Sequence, residues 1–117
     1  MVDRELVLRK AAALEGYLGE LEQFQSIDLE AYRAEWKTQR VVERSMHLAI
    51  EVCLDLGDHR DADILDASLS QSLMQMARFR NLLVHDYARI EPEKVLTILR
   101  GHLGDLDAFR RRVLSQL

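Results

Sequence analysis

Cysteine, proline and glycine are all scarce in this chain, and each scarcity removes a class of protein. Cys53 is the only cysteine among 117 residues, which excludes an intrachain disulfide and a cysteine-held zinc. One proline and five glycines are too few for a disordered tract or a turn-rich all-β fold. No apolar run approaches membrane-spanning length, and the N-terminal MVDRELVLRK lacks the apolar stretch of a signal peptide. The expected setting is therefore the reducing cytoplasm, with no membrane partner. A Gly-rich phosphate loop is also missing, which argues against an ATPase or kinase. The acid-rich DHRDADILD, residues 58–66, has neither the glycine nor the alternation of a calcium loop and reads as a solvated linker. No metal site and no cofactor are expected.

What is present is ordinary for a folded domain: 48% hydrophobic and 31% charged residues, in a length that makes residues 1–117 one domain with a single core. The net charge of −4 is unlike a broad nucleic-acid binder, because phosphate neutralisation supplies much of that affinity. The average hides an asymmetry. Residues 1–77 hold 8 Lys/Arg against 15 Asp/Glu, whereas residues 78–117 hold 8 against 5. A short, salt-sensitive basic surface in the C-terminal third is compatible with that distribution.

Hydrophobic periodicity divides the chain into four helical segments. The first runs from about Asp3 to Phe24, with Val7, Ala11, Leu14, Leu18 and Leu21 stepping by four and three along one stripe. Ser26 to Asp28 interrupts it and supplies an N-cap for a long second helix, about Asp28 to Leu56, stopped at Gly57. Val42, Met46, Ala49, Cys53 and Leu56 form its stripe, which makes Cys53 an inert core thiol. Ser68 and Gln71 stand at capping-box spacing and open the third helix. Pro92 starts the fourth, where its missing N–H costs nothing. Gly16/Gly19 and Gly101/Gly104 fit either a close crossing of the first and fourth helices or tolerated surface glycines. Short connections favour antiparallel neighbours, hence an all-α, up-down four-helix bundle.

The third helix carries RFRNLLVHDY, residues 78–87, which plain packing does not explain. On a wheel counted from Leu69, the residues Leu73, Met76, Leu83 and Val84 mark an inner stripe, and Arg80 falls in its middle. An arginine keeps its proton, so there it needs either an internal carboxylate, such as Glu43 or Glu51, or an external phosphate. Tyr87 returns to the same line if the helix persists, and Asn81 stands four residues before His85, close enough to orient the imidazole. Phe79, Leu82 and Met74 lie off the stripe. A helix this apolar all round suits burial against a second copy, and Arg80 would then face a groove between protomers. His47 shares a polar line with Arg40, Arg44 and Glu51, readable as a solvated face or as a strip lining that groove; His59 and His102 are weaker candidates.

RNLLVHDY matches the R-x-x-x-x-H-x-Y pattern of the HEPN superfamily and resembles its HepT-like toxin branch. MARFRNLLVHDY, WKTQRVVERSMHLAIEVCLDLG and IEPEKVLTILRGHLGDLDAF extend the likeness over most of the chain, although the link after CLDLG is shorter than usual there. The resemblance implies a HEPN-like bundle acting as a homodimer. It further implies a metal-independent endoribonuclease toxin, a cognate nucleotidyltransferase antitoxin, catalytic Arg80 and His85 with Asn81 in support, and Tyr87 as acceptor of AMP. Candidate RNA contacts are Arg40, Arg44, His47 and Arg78. The chemistry is self-consistent. RNA brings its own 2′-OH nucleophile, a histidine of pKa about 6.5 can act as base or acid, and a guanidinium fork suits the phosphorane. One motif histidine per protomer is a physical reason for two protomers, since cleavage needs both an acid and a base. The competing reading is a non-catalytic nucleotide- or nucleotidyltransferase-binding regulatory subunit; a third is a plain helical dimerisation module.

Overall fold

The computed structural model describes residues 3–58 and 67–117, so the 58–66 linker reading and His59 fall almost wholly outside the described residues. Six α-helices are present among them: α1 (Arg4–Glu22), α2 (Leu29–Ala34), α3 (Trp36–Asp58), α4 (Ala67–His85), α5 (Pro92–Gly101) and α6 (Leu103–Ser115), with a 3-10 turn at Tyr87–Arg89. The architecture is the all-α up-down bundle that the periodicity implied. Helices α1, α3 and α4 fill three positions, and α5 with α6 fills the fourth. Helix α6 packs on α1, α3 and α4, while the short α2 bridges α3 and α5. No helix among the described residues is long and apolar enough to cross a membrane.

The stripes of α1 and α3 are buried as their spacing requires, with Leu14, Leu21, Val42, Ala49 and Leu56 at zero exposure. Cys53 joins them, and burial pushes its thiol well above the ordinary value. Asp3 and Asp28 cap their helices, accepting from Leu6 N at 3.1 Å and Ala31 N at 2.8 Å. Pro92 opens α5. Ser68 is the second residue of α4 rather than its cap, which falls outside the described residues.

Two expected helices are broken. The second stops at Glu35, whose backbone is extended (φ −119, ψ 94), and restarts at Trp36. The Gln39 amide donates to Tyr32 O at 2.9 Å and Arg33 O at 3.2 Å, satisfying carbonyls that the break leaves free. No proline or glycine marks the place, so the pattern reads straight through it. The last helix bends at His102 (φ −120, ψ −3), where the Gln25 amide takes Leu99 O at 3.1 Å and Arg100 donates to Ile27 O. Helix α3 passes through the expected stop at Gly57 to Asp58. The glycine pairs are surface positions: an added Cβ at Gly16, Gly19, Gly101 or Gly104 would meet nothing within 4 Å.

Helix α4 is turned relative to the expected wheel. Its buried residues are Leu69, Ser72, Met76 and Phe79, while Val84 is 41% exposed. Ser72 accounts for the rotation. A serine does not read as inner from hydrophobicity, yet its hydroxyl donates to Asp105 Oδ2 at 2.5 Å and can therefore be buried. Phe79 thus enters the core, and Arg80 moves from mid-stripe to the edge.

Candidate active site

Arg80 leaves α4 beside α3, three-quarters buried, and its Nη2 donates to Glu51 Oε1. Its Nη1 donates to Asn81 Oδ1 at 3.1 Å, and its buried Nε has no partner among the described residues. On the far side of the carboxylate, His47 Nε2 lies 2.8 Å from Glu51 Oε2, at ion-pair distance but out of hydrogen-bond alignment. The Arg80 hydrogen bond, above all, holds the Glu51 carboxyl below its usual range, with the charges of Arg80 and His47 adding to it. Of the two fates open to Arg80, pairing with an internal carboxylate is the one realised in the single chain.

Helix α4 ends at His85, and Tyr87 begins the 3-10 turn. The helix therefore does not carry Tyr87 back onto the Arg80 line. The chain instead folds the ring over the N-terminal half of α3, where Tyr87 donates its hydroxyl proton to Glu43 Oε1 at 2.8 Å. The Arg40 guanidinium covers the ring at 4.8 Å from its centroid and donates to the same carboxylate oxygen at 3.1 Å. Glu43 is nearly buried, and burial raises its carboxyl pKa, opposed by the Arg40 charge. A shallow cavity of about 220 Å³ opens here, lined by Arg40, Glu43, Arg44, His47, Leu83 and Tyr87. Arg40, Arg44 and His47 of the polar α3 line thus wall a shallow cleft, with Arg40 and Arg44 still exposed to solvent.

His85 is exposed at the last turn of α4 and has no hydrogen-bond partner among the described residues. Asn81, spent on Arg80, does not orient it. Arg78 lies on the other flank of α4, in a second cavity with Lys94 and His102. Of the expected residues, Arg80 meets Asn81 and Glu51, with His47 on the far side of that carboxylate, and Tyr87 meets Arg40, with Arg44 lining the same cavity; His85 and Arg78 stand apart. Lys94 and Thr97, both at the second cavity, carried no motif signal. Ser72, His102 and Asp105 also meet, but the serine donates to the carboxylate, and His102 Nδ1 sits 3.2 Å from both. That order pins the start of α6 and leaves no activated nucleophile. Among the described residues, no three His, Cys, Asp or Glu side chains lie together as a metal site.

These features place the chain in a recognisable class. Residues 14–113 match the family described as ribonuclease HepT-like, and the chain belongs to that family. It is 25% identical over 121 aligned residues to the tRNA nuclease HepT of Aphanizomenon flos-aquae, covering 86% of this chain and 82% of that one. To the mRNA nuclease HepT of Shewanella oneidensis it is 22% identical over 125, covering 90% and 93%. Two solved structures share the fold. One is the tri-AMPylated Shewanella oneidensis HEPN toxin in complex with MNT antitoxin, with a TM-score of 0.84 at 19% identity, covering 97% of this chain and 99% of that one. The other, a toxin–antitoxin with AMP-PNP, has a TM-score of 0.82 at 18% identity, covering 95% and 99%.

Proposed function

We propose that this chain is the endoribonuclease toxin of a toxin–antitoxin pair, working in the cytoplasm as a homodimer on tRNA or mRNA without a metal. The observation that carries the reading is the family match over residues 14–113, joined to the placement of Arg80, His85 and Tyr87 around the C-terminal end of α4. His85 supplies acid–base chemistry: one copy takes the 2′-OH proton, and its equivalent in a second protomer protonates the leaving 5′-oxygen. Arg80 stabilises the phosphorane, and the product carries a 2′,3′-cyclic phosphate. Asn81 positions Arg80 through their hydrogen bond. Arg40, Arg44 and His47 line the neighbouring cleft, where they meet RNA phosphates or hold AMP once Tyr87 carries it.

Exposed apolar side chains support the second copy. Met74 and Val84 on α4 and Val41 on α3 are each more than 40% exposed. On the α4 wheel Met74 shares a stripe with Asn81 and His85, and Val84 flanks it. Burying that surface between protomers would bring two His85 side chains to one cleft.

Regulation follows from Tyr87. A nucleotidyltransferase antitoxin transfers AMP from ATP to its hydroxyl, which loses its proton as pyrophosphate leaves, and the added phosphate fills the cleft and competes with RNA for its cations. One observation favours a different role. The Arg80–Glu51 pair is what a plain structural helix module would use. Yet the pairing leaves Arg80 Nε buried and without a partner among the described residues, which costs about 1–3 kcal/mol, a poor choice for stability alone. The test is expression of the chain in a bacterial host. Wild type should arrest growth, His85→Ala and Arg80→Ala should not, and co-expressed transferase should rescue wild type but not Tyr87→Phe. Growth unaffected by abundant, unmodified wild type would move the chain to the regulatory class.

A further inference from the structure

A cavity lies on the flank of α4 away from Tyr87, and the proposed chemistry does not use it. It is a depression of about 380 Å³ between α4, α5 and the start of α6. Its floor is apolar: Met76 and Phe79 are core residues, with Leu82 and Ile98 beside them. Its rim is cationic and polar, with Arg78 and Gln75 on α4, Lys94 and Thr97 on α5, and His102 at the bend. Neither Arg78 nor Lys94 has a carboxylate partner among the described residues, although acidic residues outnumber basic ones in the chain as a whole. His102, by contrast, is committed through Nδ1 to Ser72 and Asp105. Two uncompensated cations over an apolar floor are complementary to a nucleotide: phosphate at the rim, base against the floor.

Position ties this cavity to the motif. Gln75, Arg78, Leu82 and His85 step by three, four and three along one exposed flank of α4. Seven residues separate Arg78 from His85, two turns or ~10 Å, which is about three nucleotides at ~3.4 Å for each stacked residue of a strand. We infer that this cavity is a subsite for a nucleotide of the RNA substrate a few positions from the scissile phosphate. Arg78 and Lys94 hold its backbone phosphate, and the apolar floor receives its base. The inference rests on the ribonuclease reading and adds the path of the strand: along α4, from the α5 side toward His85.

The test separates the two. His85→Ala protein is titrated with a labelled single-stranded oligoribonucleotide across a salt series, then compared with the same protein carrying Arg78→Ala, Lys94→Ala, both, or Thr97→Trp. Each alanine should weaken binding by about tenfold at low salt and lower the slope of log affinity against log salt by ~0.7. Thr97→Trp fills the depression without removing charge, and should weaken binding with the slope unchanged. If the oligoribonucleotide binds and neither affinity nor slope responds to these changes, the subsite is wrong while the ribonuclease reading stands. If the alanines instead weaken only association with a nucleotidyltransferase partner, the cavity is a protein contact and the inference falls. If no RNA binds at all and wild type cuts none, the ribonuclease reading itself fails.

Discussion

Arg80 illustrates what a wheel can and cannot give. Its type and register flag a cation that needs a partner, and Glu51 was among the carboxylates within reach. The buried serine that rotates α4 is not readable from hydrophobicity, because Ser72 is inner only by virtue of Asp105, 33 residues away. With Arg80 at the edge and Glu51 more than a third exposed, their pair is largely screened. Arg80→Ala should therefore cost no more than about 1 kcal/mol in urea unfolding while abolishing cleavage; a loss of several kcal/mol would mark Arg80 as structural. Glu43 gives a pH signature. Its folded pKa is raised by burial, so the fold binds that proton more tightly than the unfolded chain and gains stability as pH falls through the raised value. Relative to Glu43→Gln, wild type should gain stability as pH falls from above the raised value toward the ordinary carboxylate range. Denaturant midpoints that move in parallel for the two proteins would show that Glu43 is not the group responsible.

Element existence and type followed from periodicity, because buried lines at helical spacing leave few alternatives. The breaks at Glu35 and His102 did not: the first has no Pro or Gly and is secured by an amide four residues on, and the second, between Gly101 and Gly104, is met by Gln25 and Arg100 bonds that join it to a distant segment. The same breaks shape the site: α2's early end lets α3 start at Trp36, and α4's end at His85 frees Tyr87 to turn over Arg40. Gln39→Ala should destabilise by about 1 kcal/mol by leaving the Tyr32 and Arg33 carbonyls without their amide, read as a lowered urea midpoint. Gly16→Ala should stabilise by up to about 1 kcal/mol and Gly19→Ala, in the last turn of α1, by less, since both have open space around them. A loss at either would mean that the surface is covered, as in the close crossing that the described chain lacks.

For the molecule as a whole, one protomer presents His85, Arg80 and Tyr87 around one end of α4 without closing a cleft around all three. A second copy is the proposed remedy, and Val84→Asp, at an exposed site, should leave the fold intact while shifting sedimentation to a monomer and removing cleavage together. The motif was legible in the sequence, and so was Glu51 as a candidate partner for Arg80; that Glu43 and Arg40 instead meet Tyr87, and that Arg78 lines a separate cavity, needed the packing of α3 and α5 against α4. The most direct measurement is cleavage of total RNA and tRNA in EDTA by purified, unmodified wild type, His85→Ala and Arg80→Ala, each confirmed folded, with the fragment ends identified. The ribonuclease reading predicts cutting by wild type alone, leaving 2′,3′-cyclic phosphates. Intact RNA with wild type, or equal cutting by His85→Ala, would contradict it.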